Sequence, residues 1–304
     1  MKDYAQRNSD QLIDESSTLT ILKQQLFILF QYIVPQHLLS RLVGWFAETE
    51  ITWLKNSLIT MFVKHFKVDM SLAKIPEATQ FPTFNAFFTR ELRAEARPVD
   101  NDPKTLACPA DGAISQLGKI AGEKIFQAKG QHYTVYELLG GDNELAQQFL
   151  DGTFATIYLS PKDYHRVHMP LDGTLKSMIH VPGDLFSVNT VTAQNVPRLF
   201  ARNERVIAIF DTVAGPMAVV LVGAMIVASI ETVWAGQVTP KRRKIQTFRY
   251  DDPKPIVLKK GEEMGRFQLG STVIICFAPN AITWLESFTE TTVTKMGQAL
   301  GQLI

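Results

Sequence analysis

The segment that most constrains the fold is a continuous apolar run rich in β-branched residues, 272–277, which directly follows Gly270 and Ser271. Such a run after a glycine predicts a turn that leads into a strand buried on both faces. Because glycine has no side chain, the carbonyl carbon of Gly270 is unshielded beside the hydroxyl of Ser271. Ser271 is therefore either a nucleophile toward an external substrate or a group that attacks its own chain.

From residue 106 onward, short β segments alternate with glycine, proline and Asp-Gly turns, and one helix is predicted at 136–149. The apolar run 217–230 contains a central Gly223 and many valines, which favours a long or broken buried strand over a membrane helix. The predicted strands are 112–118, 153–159, 173–181, 205–211, 218–234, 257–260, 270–278 and 282–285.

Residues 19–68 show helical spacing in three segments, with bulky aromatic residues beside basic ones. These helices either pack on each other and on the main domain or lie in a bilayer interface. The apolar segment 19–34 contains Lys23 and spans roughly 24 Å as a helix, less than the ~30 Å of a hydrocarbon core, so we reject a transmembrane span. The sequence predicts an α+β protein with an N-terminal amphipathic helical region, 1–69, and a β-rich catalytic domain, 70–304.

Four phenylalanines within residues 81–88 require burial, either in a protein core or against acyl chains. Arg90 and Arg93 follow them, and from the residues alone we expect both arginines to be solvated. The net charge of +1 excludes a strong polyanion-binding surface, so no nucleic-acid partner is expected. Two cysteines provide neither a disulfide framework nor the spacing of a metal site.

Three further stretches carry candidate chemistry. Asp111 lies in an Asp-Gly turn before a strand, and His165 and His168 follow a strand and suit general acid–base catalysis or, less well, a metal pair. Residues 182–189 form a candidate binding loop. Ser271, a histidine and Asp111 would also suit a serine hydrolase, although the Gly-x-Ser-x-Gly elbow is absent. A lipid-binding protein without catalysis is a further alternative.

Taken together, six segments closely resemble bacterial phosphatidylserine decarboxylases, a pyruvoyl-dependent and self-processing family. The resemblance covers essentially the whole chain, and no position expected to do chemistry departs from it. The segments are FNAFFTREL (84–92), ADGAI (110–114), DYHRVHMP (163–170), PGDLFSVN (182–189), ETVWAG (231–236) and MGRFQLGSTVI (264–274).

The resemblance implies that Ser271 attacks the carbonyl of Gly270 and that the chain is cleaved between them into 1–270 and 271–304. Ser271 then becomes an N-terminal pyruvoyl group, the covalent cofactor, which forms a Schiff base with the substrate amine. By the same resemblance, Asp111 and His168 activate Ser271 as a triad, whereas His165 serves decarboxylation. No metal is implied.

The implied reaction converts phosphatidylserine to phosphatidylethanolamine in phospholipid biosynthesis. The enzyme is then expected peripherally on the cytoplasmic face of the inner membrane, with the helices in 19–68 and the phenylalanines at 81–88 in contact with lipid. Headgroup contacts are expected from Arg90, Phe186, Ser187 and Asn189. The two chains are expected to stay associated, and the resemblance further implies a homodimer.

Overall fold

The structure, a computed structural model, describes residues 20–225, 229–239, 244–251, 253–268 and 271–304. The chain forms two compact units, residues 1–35 and residues 36–304. In the first unit the described part is the helix α1 (Thr20–Ile33) and the residues that follow it. The predicted division into 1–69 and 70–304 stays a prediction, since compactness does not define a functional boundary.

The second unit begins with helices and continues as a β-rich region, which confirms the predicted α+β class. Its α-helices are α2 (Gln36–Ala47), α3 (Thr52–Phe66), α4 (Phe84–Phe88), α5 (Val135–Leu138), α6 (Asn143–Gln147), α7 (Thr190–Asn195) and α8 (Leu199–Arg202). Short 3-10 helices occupy Ala78–Gln80 and Ala94–Ala96. Its strands are β1 (Thr105–Ala107), β2 (Gly112–Lys119), β3 (Lys124–Ala128), β4 (Gln131–Thr134), β5 (Thr153–Leu159), β6 (Arg166–His168), β7 (Gly173–Val181), β8 (Arg205–Thr212), β9 (Gly215–Val222), β10 (Ser229–Thr232), β11 (Gly236–Gln237), β12 (Gln246–Arg249), β13 (Val257–Leu258), β14 (Glu263–Gln268), β15 (Ser271–Phe277), β16 (Ile282–Trp284), β17 (Val293–Thr294) and β18 (Ala299–Leu303).

Over the described residues, these strands form antiparallel sheets of nine, four, three and two members. The nine-stranded, or central, sheet has the order β12-β7-β8-β9-β15-β5-β2-β17, with β13 also paired to β7. The four-stranded, or flanking, sheet has the order β11-β10-β14-β6. Strand β15 pairs with β5 on one side and β9 on the other, and all its residues are buried. The prediction of a buried strand after Gly270 is therefore confirmed from Ser271 onward, while Gly270 itself lies outside the described residues.

The predicted strands agree with the structure most closely at β5 and β7, whose bounds match those predicted. The predicted strand 218–234 is divided between β9 in the central sheet and β10 in the flanking sheet. The single helix predicted at 136–149 is wrong. Gly140 and Gly141 both have positive φ values, 81° and 86°, which end α5 and separate it from α6.

An aromatic cluster joins α4 to α2 and α3. Helix α4 starts after Thr83, whose hydroxyl accepts a hydrogen bond from the Ala86 N–H at 3.1 Å. The four phenylalanines of residues 81–88 are at most 7% exposed and pack with residues of α2 and α3. The expectation that they contact lipid is therefore wrong, because their apolar surface is buried inside the protein.

The outer face of α2 and α3 has the opposite character. Several large apolar side chains on it are about half exposed or more, namely Leu38, Leu42, Trp45, Trp53 and Met61. Along the described parts of the chain, no single helix is long and apolar enough to cross a membrane, and only α1 and α2 taken together across their break satisfy such a test. Packing on the protein, one of the two alternatives predicted for these helices, thus applies to the face of α2 and α3 that contacts the core. Contact with a bilayer, the other alternative, applies to the opposite face, which is uncovered.

Replacing Phe87 by alanine should lower the free energy of unfolding by about 3–5 kcal/mol, because a fully buried aromatic side chain leaves a cavity. The matched control is Phe248→Ala, where the side chain is 42% exposed and the loss should be about 0.5 kcal/mol or less. Urea denaturation followed by tryptophan fluorescence measures both. Equal losses in the two variants would contradict the buried position of Phe87.

Candidate active site

Ser271 is the first residue of β15 and is fully buried. Its backbone is in register with Leu159 of β5. Its Oγ has no hydrogen-bond partner among the residues that the structure describes. Buried hydroxyls are normally hydrogen-bonded, so Ser271 Oγ, like the hydroxyls of Ser229 and Thr272, is an exception, and within the described residues it is free of any bond that would compete with a role as a nucleophile.

The chain changes sheets immediately before this serine. Strand β14 ends at Gln268 in the flanking sheet, and β15 begins at Ser271 in the central sheet. Leu269 and Gly270, which include the predicted scissile carbonyl, lie outside the described residues. Gln268 and Ser271, on either side of this pair, belong to hydrogen-bonded strands of different sheets. Only two residues therefore connect the two sheets.

His168 lies in β6, next to β14 in the flanking sheet. Its Nδ1 lies 2.8 Å from the carbonyl oxygen of Gly261, which only accepts, so Nδ1 carries the proton. The neutral ring then accepts at Nε2 from the hydroxyl of Tyr164, at 3.0 Å. Burial lowers the pKa of His168, which favours this neutral form. His168 is therefore a base whose accepting nitrogen is occupied by a phenol.

Asp111 directly precedes β2 and is buried. Arg97 donates to both of its carboxylate oxygens, and the Met296 N–H donates to Oδ1 at 2.8 Å. The His168 N–H donates to the Pro109 carbonyl at 2.9 Å, which ties the two predicted triad segments together. Between the described atoms of Asp111 and His168, however, there is no hydrogen bond, because each side chain already has other partners.

His165 is also fully buried, and its ring lies on Phe88 with a centroid distance of 4.0 Å. Its Nδ1 donates to the Asp163 carbonyl at 2.9 Å. Its Nε2 has no partner in the described part of the chain. Burial lowers the pKa of His165 to about 3, so the ring is neutral with an unoccupied lone pair. The Phe267 N–H donates to the His165 carbonyl at 3.1 Å, which places this histidine beside the end of β14.

Arg90 is 3% exposed, so the expectation that it is solvated is wrong. One terminal nitrogen donates to the carbonyls of Lys162 and Asp163, at 3.1 and 3.5 Å. Its Nε and other terminal nitrogen have no partner within the described residues, and burial lowers the pKa of the guanidinium. Arg90 and His165 thus share the Asp163 carbonyl. Arg90 also lines two clefts of about 340 and 230 Å³.

The loop 182–189 has partners of its own. The backbone N–H and C=O of Phe186 bond to the side chain of Asn203, and the guanidinium of Arg202 lies 4.7 Å from the Phe186 ring centroid. Asn189 is the N-cap of α7 and accepts from the Thr192 N–H at 3.0 Å. Ser187 is half-buried. These contacts order the loop, and the assignment of Phe186, Ser187 and Asn189 to headgroup binding stays a prediction.

Sequence reasoning missed two side chains that define this site. Tyr164 directly precedes His165, but a tyrosine carries no charge near neutral pH and so gives no sequence signal of acid–base chemistry. Arg97 precedes Pro98 in a segment with no recognisable motif, so its pairing with Asp111 has no local signal. Only the fold brings Arg97 to the turn before β2.

Comparisons with known proteins agree on one family. A family model described as phosphatidylserine decarboxylase matches residues 84–302, and a second, described as PSD, matches residues 26–67. The phosphatidylserine decarboxylase proenzyme of Ectopseudomonas mendocina (strain ymp) is 61% identical over 92% of this chain and 99% of its own length. Those of Stutzerimonas stutzeri (strain A1501) and Azotobacter vinelandii (strain DJ / ATCC BAA-1303) are 60% and 58% identical over 92% of this chain, and over 95% and 99% of their own lengths. The chain belongs to the phosphatidylserine decarboxylase family.

The burial of His165 predicts a specific pH dependence of stability. Its pKa is about 3 in the folded chain and about 6.5 when unfolded, so below pH 6.5 the unfolded chain binds the extra proton. Stability should therefore fall by about 1.4 kcal/mol for each pH unit below about 6.5, down to about pH 3, through this residue. We expect His165→Asn to show a shallower loss between pH 7.5 and 5 in urea denaturation.

The matched control is His132→Asn, since His132 is exposed and should leave the pH dependence of the parent chain unchanged. If His165→Asn lost stability with acidification as steeply as the parent chain, His165 would not be buried as a neutral ring.

Proposed function

We propose that this protein is a self-processing phosphatidylserine decarboxylase that makes its own pyruvoyl group from Ser271. The observation that carries the proposal is the buried, unpartnered Oγ of Ser271 at the crossing between two sheets, in a chain of this family. Its relatives are named as proenzymes, a term for a chain that must be processed before it acts. Phosphatidylserine is the substrate and phosphatidylethanolamine the product.

The residues around Ser271 suit such a group. A serine that becomes a cofactor must keep its hydroxyl free of competing hydrogen bonds, and Ser271 does so while fully buried. When present, the pyruvoyl group supplies an electron sink for the loss of carbon dioxide, a role that pyridoxal phosphate has in other enzymes. Pairing with Leu159 of β5 holds the residue that would carry it, and β9 pairs with β15 from the next residue, Thr272, onward.

In the processing step, Ser271 Oγ attacks the carbonyl of Gly270, and the Gly270–Ser271 C–N bond breaks to leave an ester on Oγ. Loss of the Ser271 α-proton then breaks the Cβ–Oγ bond and releases residues 1–270 with a carboxylate at Gly270. Water converts the dehydroalanine left on 271–304 to the pyruvoyl group and ammonia. Because nucleophile and carbonyl belong to adjacent residues, good orientation contributes up to roughly 7–11 kcal/mol.

His168 is the proposed base for Ser271. Its Nδ1–H donates to the Gly261 carbonyl, so Nε2 is the atom that receives the Ser271 hydroxyl proton. The Tyr164 hydroxyl must first move away from Nε2. Asp111 acts through its negative charge, which favours a protonated His168. The Arg97 and Met296 contacts hold that carboxylate in place.

His165 is the proposed group for decarboxylation. Its neutral ring keeps the proton on Nδ1, so the unoccupied Nε2 can accept a proton from the substrate's amino group. The Phe88 ring, which is tilted against the imidazole at a centroid distance of 4.0 Å, excludes water from this face of it. Two histidines three residues apart thus have separate tasks, because one accepting nitrogen is occupied and the other is free.

We assign Arg90 to the substrate's phosphodiester rather than to its carboxylate, with Phe186, Ser187 and Asn189 as further headgroup contacts. In the larger cleft, Lys74, Arg166 and Arg266 each pair with a carboxylate. Arg90 forms no ion pair among the described residues, although it is buried. A cation bound to the leaving carboxylate would stabilise the ground state and slow its loss, whereas the phosphodiester keeps its charge throughout.

The exposed apolar side chains of α2 and α3 support a peripheral position on a membrane surface, and we place the protein on the cytoplasmic face of the inner membrane as part of the same proposal. After cleavage the two chains should stay associated, since β15 is hydrogen-bonded on both edges to strands of 1–270 and β18 pairs with β1. A homodimer is part of the same proposal, whereas a nucleic-acid partner is not.

The processing role of Ser271 is tested by substitution. Ser271→Ala should remain one chain on a denaturing gel and be inactive, because no hydroxyl is present to attack Gly270. His168→Ala should remain largely uncleaved, whereas His165→Ala should be cleaved yet release little carbon dioxide from phosphatidylserine vesicles. The control is Ser229→Ala, which removes another buried and unpartnered hydroxyl and should be cleaved normally. Cleavage of His168→Ala with an uncleaved His165→Ala would reverse the two assignments.

The Arg90 assignment is tested by comparing substrate with product. Arg90→Ala should weaken the binding of short-chain phosphatidylserine and phosphatidylethanolamine by the same factor, roughly 10- to 100-fold, because both carry the phosphodiester. Surface plasmon resonance of the processed enzyme measures both affinities. Arg93→Ala, at a half-exposed side chain, is the control and should leave them unchanged. Weaker binding of phosphatidylserine alone would assign Arg90 to the carboxylate instead.

A further inference from the structure

The last side chain of β14 is held from two sides. The Gln268 carboxamide donates from Nε2 to Glu231 Oε1 at 2.5 Å, and its Oε1 accepts from Asn85 Nδ2 at 3.4 Å. Gln268 is also the last β14 residue in register with β10, opposite Ser229. Both the backbone and the side chain of this residue are therefore fixed, two positions before Gly270.

The network extends further through Asn85. This residue lies in α4, is 3% exposed, and donates from the same Nδ2 to Glu48 Oε1 at 2.5 Å. Glu48 directly follows α2, and Glu231 lies in β10. Four segments distant in sequence are thus linked through two carboxamides, those of Asn85 and Gln268. We call Glu48, Asn85, Glu231 and Gln268 the carboxamide clamp.

The clamp has more contacts than packing alone requires. Two of the three bonds end on a carboxylate, and hydrogen bonds to charged acceptors are shorter and stronger than those between neutral groups. An apolar side chain at position 268 would be equally compatible with the backbone pairing of β14. A carboxamide instead fixes both the position and the rotation of the chain at this point, because its donor and its acceptor have different partners.

We infer that Gln268 is a positioning residue for self-processing, because the carboxamide clamp fixes the chain on the acyl side of the junction while β15 fixes Ser271 on the other. The inference rests on the proposed function. An intramolecular attack depends on the angle and distance between nucleophile and carbonyl, and a displacement of about 1 Å can cost about 100-fold in rate. With only two residues between the fixed ends, a loose Gln268 would widen the range of angles and distances at which Ser271 Oγ and the scissile bond can meet.

The test is the rate of self-cleavage of the full chain, pulse-labelled in a cell-free translation reaction with phospholipid vesicles and followed on denaturing gels. Gln268→Glu replaces the donor to Glu231 by a second carboxylate, and we expect cleavage to slow roughly 10- to 100-fold. The double variant Gln268→Glu with Glu231→Gln restores a donor and an acceptor in the reverse order. It should recover most of the parent rate.

Two controls separate positioning from stability. Gln302→Glu makes the same change at an exposed position of the three-stranded sheet, away from the clamp, and should be cleaved at the parent rate. In the uncleavable Ser271→Ala background, Gln268→Glu should lower the melting temperature by no more than about 5 °C, which keeps the chain folded at the temperature of the cleavage reaction. Slower cleavage of a chain that is still folded, recovered in the double variant, supports the positioning role.

Three results would overturn the inference. These are an unchanged rate in Gln268→Glu, a rate not recovered by Glu231→Gln, and a melting temperature that falls to that of the reaction, so that unfolding accounts for the slower cleavage. Failure of the proposed function has a different signature, since the parent chain itself would then remain uncleaved in the same reaction.

Discussion

The structure depends on the burial of β15 between β5 and β9, because the rest of the site is arranged around the end of that strand. All residues of β15 are buried, and its backbone is paired on both edges. Such a strand does not shift, so Ser271 is held at a defined point, only two residues after the chain leaves the flanking sheet at Gln268. Ser271 is thus part of the core, where orientation is least variable.

Burial also governs the electrostatics of the neighbouring groups. It keeps His165 and His168 neutral and leaves Arg90 as a desolvated cation. A neutral imidazole with its proton fixed on a backbone carbonyl is a base with one defined accepting atom. The two histidines then differ in whether Nε2 is available. At His168 this atom accepts a hydrogen bond from the phenol of Tyr164, whereas at His165 it has no partner among the described residues.

Periodicity and turn residues predicted the α+β class and most of the central sheet, because a buried strand must be apolar whatever its neighbours are. The same signals failed where the identity of the neighbour matters. The phenylalanines of residues 81–88 had to be buried, but nothing local distinguishes a protein core from lipid. Arg90 looked like a surface residue, since the sequence does not reveal that the segment 162–165 closes over it. Resemblance to the family named Asp111 and His168 together, whereas only the fold shows Asp111 held by Arg97.

The central claim is that Ser271 is the precursor of a cofactor and Gly270 the last residue of a separate chain. The most direct test is the intact mass of the purified protein under denaturing conditions. We predict two species, residues 1–270 with a free carboxylate and residues 271–304 lighter by one ammonia than a chain that begins with serine, with no free amino group. A single species with the mass of residues 1–304, in a preparation that decarboxylates phosphatidylserine, would contradict the account.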